Sequence, residues 1–170
     1  MKASIRAMEP EDVDILYRWE NDPAIWSVSS TLAPVSRFVL EQYIADSMGR
    51  DVFEAGQLRL IIEDDADGTP IGVVDLFDID VRDGHGSIGI SINDAGRRGR
   101  GYAADALRQF VRHCFDIIGL HSLLARIDTD NEASIHLFET CGFARVGMLR
   151  QWHKTPQGWK DQLEMQIINN

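Results

Sequence analysis

Between Ile92 and an alanine-rich run that begins at Ala103, the chain reads Asn-Asp-Ala-Gly-Arg-Arg-Gly-Arg-Gly-Tyr. Glycine and arginine in that density, at the start of a helical pattern, are suited to holding an anion. The first amides of a helix lack internal acceptors and carry partial positive charge. Glycine lets the backbone come close to a ligand and take left-handed angles. Arg97, Arg98 and Arg100 add forked donors that match phosphate oxygens. The arrangement reads as an anion cradle with a pyrophosphate as its natural guest; the bland alternative is an exposed basic linker. Two common phosphate motifs do not fit. The Walker pattern ends in Gly-Lys-Ser/Thr, which is absent here, and the dinucleotide fingerprint would need glycine where Ala104 stands.

Other residues with chemistry in them are more scattered. In Asn-Glu-Ala-Ser-Ile-His-Leu-Phe-Glu-Thr-Cys-Gly-Phe, Asn131 is a candidate helix cap and Gly142 a helix stop. Asp75, in the middle of Gly-Val-Val-Asp-Leu-Phe-Asp-Ile-Asp, is a candidate general base; its other reading is an exposed strand carboxylate, as for Asp78, Asp80 and Glu41. Trp19, Trp26, Trp152 and Trp159 are aromatic faces that attract a cation or pack at element edges. The five histidines have no metal-ligand spacing, so no metal is expected.

These residues need elements to carry them. The N-terminal Lys-Ala-Ser-Ile-Arg-Ala-Met alternates as a strand, and the acidic Glu-Pro-Glu-Asp that follows opens a helix ending before Pro23. Residues 23–35 read as a loop, and a second helix runs from Ser36 towards Met48 with Phe38, Val39, Tyr43 and Ile44 on its apolar face. Three strands joined by the turns Asp-Asp-Ala-Asp-Gly and Arg-Asp-Gly-His-Gly then form an antiparallel meander, with Ile88, Ile90 and Ile92 on one face of the third. A long helix follows the glycine-rich turn and stops at Gly119. A strand, the short helix from Asn131 and two final strands complete the order β-α-α-β-β-β-α-β-α-β-β. This is an α/β (α+β) chain, read as one domain over residues 1–170, with a mostly antiparallel, bent sheet and helices on both sides.

Composition limits the partners. With 17 Lys+Arg against 27 Asp+Glu the formal net charge is −10, which repels nucleic acid as a general partner. Cys114 and Cys141 lie in apolar contexts without a CxxC spacing and read as reduced thiols, which points to the cytoplasm. No signal pattern and no membrane-length apolar run is visible, so no membrane partner is expected.

Arg98-Gly99-Arg100-Gly101-Tyr102-Ala103 resembles the Arg/Gln-x-x-Gly-x-Gly/Ala signature of the GNAT superfamily of acyl-CoA-dependent N-acetyltransferases. The Asn131–Phe143 stretch resembles the second motif of that superfamily, and the C-terminal Gly-Met-Leu-Arg-Gln-Trp segment is similar to the branch with spermidine and ribosomal-protein N-terminal acetyltransferases. The resemblance spans essentially the whole chain. It implies acetyl-CoA as co-substrate, its diphosphate on Arg98, Gly99, Arg100, Gly101, Tyr102 and Ala103. It implies a pantetheine arm pairing with Ile90, Ser91 and Ile92 and touching Asn131 and Ser134. Phe138 stands in the cofactor site where many relatives have a tyrosine that protonates the leaving thiolate, and Ser87 where spermidine enzymes tend to have glutamate. The implied activity is acetyl transfer to a primary amine, a peptide or protein α-amine being favoured. The alternatives are a polyamine acceptor and a catalytically weak acyl-CoA-binding module. A homodimer is a further implication.

Overall fold

The computed structural model describes residues 2–26 and 33–170, with the side chains of residues 25 and 26 outside the description. The strands are β1 (Ala3–Ala7), β2 (Leu58–Asp64), β3 (Pro70–Asp80), β4 (His85–Ile92), β5 (Ser122–Asp128), β6 (Ala144–Thr155) and β7 (Gly158–Ile168). The helices are α1 (Val13–Glu20), α2 (Pro23–Trp26), α3 (Arg37–Met48), α4 (Val52–Ala55), α5 (Tyr102–His113) and α6 (Glu132–Thr140). The strands make one mixed sheet in the order β1-β2-β3-β4-β5-β7-β6. Every neighbouring pair is antiparallel except β4 with β5.

Successive residues on a strand face opposite ways, so each strand feeds two cores. Ile62, Val74, Leu76, Ile88, Leu123, Ala125 and Met165 pack on Ala106, Leu107 and Phe110 of α5 and on Ile135 and Phe138 of α6. Their sequence neighbours Ile61 and Val73 face the other way, onto Leu16 of α1 and Leu40 and Ile44 of α3. The chain thus covers the sheet on both sides, as its alternating pattern requires.

Three local readings change. Phe38 and Val39 do not form the buried side of α3: they are 68% and 54% exposed, while Leu40 and Ile44 are buried. The Ser36 hydroxyl caps the helix by accepting from Val39 N–H, and from that start the inward stripe runs through Leu40, Tyr43 and Ile44. The loop expected over 23–35 contains the helical turn α2, with Pro23 at its first position and the Asp22 carboxylate accepting from Ala24 N–H; residues 27–32 lie outside the described residues. The long helix does not stay α-helical to its end. It widens into a π turn over Cys114–Ile118 before Gly119, at φ 82°, reverses the chain as expected.

An ion pair between half-buried Arg6 and buried Asp12 ties β1 to the start of α1. Arg6 grips Asp12 with two nitrogens at 2.7 and 2.9 Å, and Glu9 N–H adds a bond at 2.8 Å. Burial pushes the Asp12 carboxyl up, but the Arg6 bonds and the Glu9 amide outweigh it and hold it below its usual value. A depressed carboxylate stabilises the fold above its unfolded pKa of ~3.9, and that contribution is lost as pH falls through the folded value. Asp12→Asn is therefore expected to flatten the acid limb of stability. Urea midpoints taken from about pH 5 down to about pH 3 should fall less steeply for the variant than for the wild type.

Candidate active site

The parallel contact between β4 and β5 is short. It covers His85 with Ser122, Gly86 with Leu123 and Ser87 with Leu124, and then the two strands part. Beyond that point β4 keeps β3 as its partner as far as Ile92, and β5 keeps β7 as far as Asp128. A wedge opens between their inner edges. The backbone of Gly89, Ile90, Ser91 and Ile92 on one side faces Ala125 to Asp128 on the other, with no strand of the described residues between them. An extended amide-bearing ligand can complete such an edge. Ile90 and Ile92 turn their side chains into the core under α5, and Ser91 turns to the opposite face, where its hydroxyl bonds Asn93 Oδ1 at 2.9 Å. Gly72 makes this wall possible. A Cβ there would collide with the Ser91 carbonyl oxygen. Gly72→Ala is expected to cost about 1–3 kcal/mol of stability and to displace Ser91. Urea unfolding and CoA titration of the variant check both effects.

At the end of β4 the chain enters the glycine-rich turn. Asp94 starts it, its carboxylate accepting from Gly96 N–H at 2.9 Å, and Ala95–Arg97 forms a 3-10 turn. Gly99 and Gly101 follow with φ of 68° and 91°, which is the conformation that favours glycine. Among the described residues, a Cβ on Gly99 would have no atom within 4 Å, so that point of the turn is open towards them. The first i→i−4 bond of α5 runs from Asp105 N–H to the Gly101 carbonyl at 3.2 Å. Tyr102, Ala103 and Ala104 are therefore left with amides that have no acceptor inside the helix. These free donors at a helix N-terminus fit a diphosphate.

The arginines divide the work differently from the sequence reading. Arg97 turns inward and pairs with buried Asp64, with Asp67 at 3.2 Å and with Asp94 at 3.7 Å. Its charge is spent within the fold. Arg98 donates from Nε to the Ile92 carbonyl at 2.8 Å and so closes the end of β4 against the turn. Arg100 is exposed. Tyr102 is buried, and its hydroxyl donates to Asp64 at 2.8 Å; it has only its backbone to offer a ligand. The positive field at the turn comes from backbone dipoles, Arg98 and Arg100 more than from three free guanidinium groups.

Asn131 caps α6 as expected, its Oδ1 accepting from Ser134 N–H at 3.1 Å. Ser134 and Phe138 lie one turn apart on that helix. Phe138 is buried edge-on against Phe143, with ring centroids 4.9 Å apart. Cys141, one turn on, contacts the Ala104 carbonyl at 3.8 Å, and burial pushes its thiol up. It stays protonated at neutral pH and supplies no thiolate. Burial pushes Cys114 further, to about 12.

On the α1/α3 side of the sheet, Asp75 is not a free carboxylate. Arg59, directly opposite on β2, grips it with Nε at 2.6 Å and a second nitrogen at 3.2 Å, and reaches Glu20 of α1 at 2.6 Å. The guanidinium also stands 5.8 Å from the Tyr43 ring. Burial disfavours the Arg59 charge, and the Asp75 carboxylate more than restores it, so its pKa is raised. Sequence reasoning singles out neither Arg59 nor Glu20 as a site residue and reads Tyr43 only as part of the apolar face of α3. The signal was present: Arg59 and Asp75 lie symmetrically about Asp67 in the turn between β2 and β3. On the far wing, His153 Nδ1 sits 2.9 Å from both Asp128 oxygens, with Gln162 and Lys160 beside it.

Comparison with known proteins bears on this geometry. A family model described as an acetyltransferase (GNAT) domain matches residues 3–144. The spermidine N(1)-acetyltransferase of Vibrio cholerae is 23% identical, over 98% of this chain and 93% of its own length. Among solved structures, spermidine N-acetyltransferase from Vibrio cholerae in complex with CoA and spermine superposes with a TM-score of 0.84 at 23% identity, covering 98% of this chain and 95% of that one. A dodecameric structure of spermidine N-acetyltransferase from Vibrio cholerae gives 0.81 at 24% identity, with coverages of 98% and 94%. The superpositions establish the fold. The family match runs from β1 into β6, through both the glycine-rich turn and α6, so the chain belongs to the GNAT acetyltransferases and is an acetyl-CoA-dependent N-acetyltransferase.

Proposed function

We propose that this enzyme acetylates a polyamine, with the cofactor diphosphate on the amides of residues 98–103 and the thioester in the β4–β5 wedge. What carries the polyamine reading is the relation over nearly the full length to the Vibrio cholerae spermidine N(1)-acetyltransferase, helices α1 to α3 and the C-terminal strands included. A surface with formal net charge −10 also attracts a polycation. This acceptor replaces the peptide α-amine as the main reading. The α-amine remains a second reading because of one observation: both Asp75 oxygens are engaged by Arg59, so this carboxylate does not stand open to the amine. Bringing a primary amine with a pKa of ~10.4 to its neutral form at pH 7 costs about 4–5 kcal/mol, against about 1–1.4 kcal/mol for an α-amine near ~7.7–8.0.

In this account the pantetheine arm pairs with Ile90, Ser91 and Ile92 and passes Asn131 and Ser134. Amides on the free edge of β4 donate to the thioester oxygen as the amine attacks. Phe138 shapes the site without giving a proton, so the amine sheds one proton to solvent before it attacks, the leaving thiolate takes its proton from water, and the hydroxide left behind takes the second proton from the acetylated nitrogen. Asp75, with Arg59 and Glu20, forms a fixed charged floor beside Gly89 and acts by orienting the cation rather than by taking its proton. No metal takes part. Residues 1–170 act as one acyltransferase domain. For assembly we place a second copy on the β6 edge, where Val146, Met148 and Trp152 are exposed.

The test is thiol release from acetyl-CoA with spermidine, spermine and short peptides with free N-termini. The expected result is a kcat/KM for spermidine at least about tenfold above every peptide. A peptide turned over faster than either polyamine would shift the assignment to the second reading.

A further inference from the structure

We propose that Lys2, just ahead of β1, is a positioning residue of the diphosphate cradle: its ammonium holds the Arg100 carbonyl and thereby keeps the Gly101 amide facing the anion. The inference rests on the cradle reading above and goes beyond it, because it assigns a role to a residue outside the glycine-rich turn.

Lys2 Nζ donates to the Arg100 carbonyl at 2.9 Å. In a trans peptide the carbonyl and the following N–H point opposite ways. With the Arg100 oxygen held on the Lys2 side, Gly101 N–H is aimed at the other side of the turn. The need for such a hold comes from glycine itself. Gly101 sits at φ 91°, and a residue without a Cβ passes between left- and right-handed angles at little cost. Space does not prevent a flip either. A cavity of about 390 Å³, lined by Lys2, Asp64, Asp65, Ala66, Arg100 and Tyr102, opens on the Lys2 side. Among the described residues, a Cβ on Gly101 would meet only the Lys2 side chain, at 3.9 Å and beyond. A flipped peptide would turn a carbonyl oxygen, an acceptor, towards the diphosphate in place of a donor.

Lys2 is itself well anchored. Its own N–H donates to Asp105 Oδ2 at 2.6 Å, and its carbonyl accepts from Asp65 N–H at 3.0 Å. Next to it, the Ala3 carbonyl accepts from Gln109 Nε2 at 2.7 Å. The first of these bonds also occupies a carboxylate in the first turn of α5, close to where an anion would bind. All three use backbone atoms and survive a change of side chain at position 2. Substituting Lys2 therefore removes the ammonium without detaching β1 from α5.

The experiment measures dissociation constants of CoA and of pantetheine, which lacks the diphosphate, by protein-observed NMR titration for wild type, Lys2→Met, Lys2→Arg and Gly101→Val. Lys2→Met is expected to weaken CoA about fivefold while pantetheine stays within about twofold, and Lys2→Arg, which can donate the same bond, to recover most of the loss. Equal weakening of both ligands would mean a general structural role and would overturn the proposal. Unchanged CoA affinity in Lys2→Met, alongside selective loss of CoA in Gly101→Val, would overturn the Lys2 assignment and leave the cradle standing. Unchanged CoA affinity in both variants would remove the cradle and the proposal together.

Discussion

Gly101→Val weakens CoA binding by about 100-fold, or about 2.7 kcal/mol. Two costs combine to give that figure. Valine is β-branched, and at φ 91° its side chain is forced into a backbone region it almost never adopts, at about 1–3 kcal/mol. The turn escapes that strain by moving, and the amides that face the diphosphate move with it. The loss should be larger for binding than for folding, because α5 is held from below by Leu107 and Phe110, both fully buried. Calorimetric titration with CoA, set beside the urea midpoint of the same variant, separates the two. A variant that binds CoA as the wild type does would mean that this turn is not where the diphosphate sits.

The largest loss of stability is expected from an arginine whose sequence context suggests ligand binding. Arg97→Met leaves Asp64, only 4% exposed, without its counter-charge. The Tyr102 hydroxyl and the Ala66 amide remain on that carboxylate but carry no full positive charge. Removing one partner of a buried ion pair costs about 3–5 kcal/mol. The exposed Arg98, one residue along, gives up a single bond to the Ile92 carbonyl, and Arg98→Met should cost about 1 kcal/mol. Urea unfolding of the two variants should show that contrast. Adding Asp64→Asn to Arg97→Met removes the stranded charge and should recover part of the loss; equal small losses for Arg97→Met and Arg98→Met would show that Arg97 is not a structural residue.

These two arginines show where a linear reading of the chain stops. Apolar runs bounded by turn residues located the strands, and the alternation of Ile88, Ile90 and Ile92 on β4 reflects the two-faced sheet directly. The glycines of the turn were also legible, because φ values of 68° and 91° at Gly99 and Gly101 restrict the residue type. Which arginine faces a ligand was not legible. That depends on Asp64 and Asp67, about thirty residues earlier, being folded back beside Arg97 by the β2–β3 turn. Asp75 was visible as a carboxylate in mid-strand, but its state is set by Arg59 across the ladder and by Glu20 on a helix. The exposure of Phe38 and Val39 has a simpler reason: α3 carries apolar residues on more than one side, and only the packing of Leu40, Tyr43 and Ile44 against Leu16, Ile61 and Val73 decides which side meets the sheet.

The most direct test of the whole account is a crystal structure of the protein with CoA bound. Diphosphate oxygens should lie within about 3 Å of the amide nitrogens of the Gly99–Ala103 turn, and the pantetheine amides should pair with β4 between Ile90 and Ile92. A diphosphate lodged on any other element, or those same amides already satisfied by protein acceptors with CoA bound elsewhere, would contradict it.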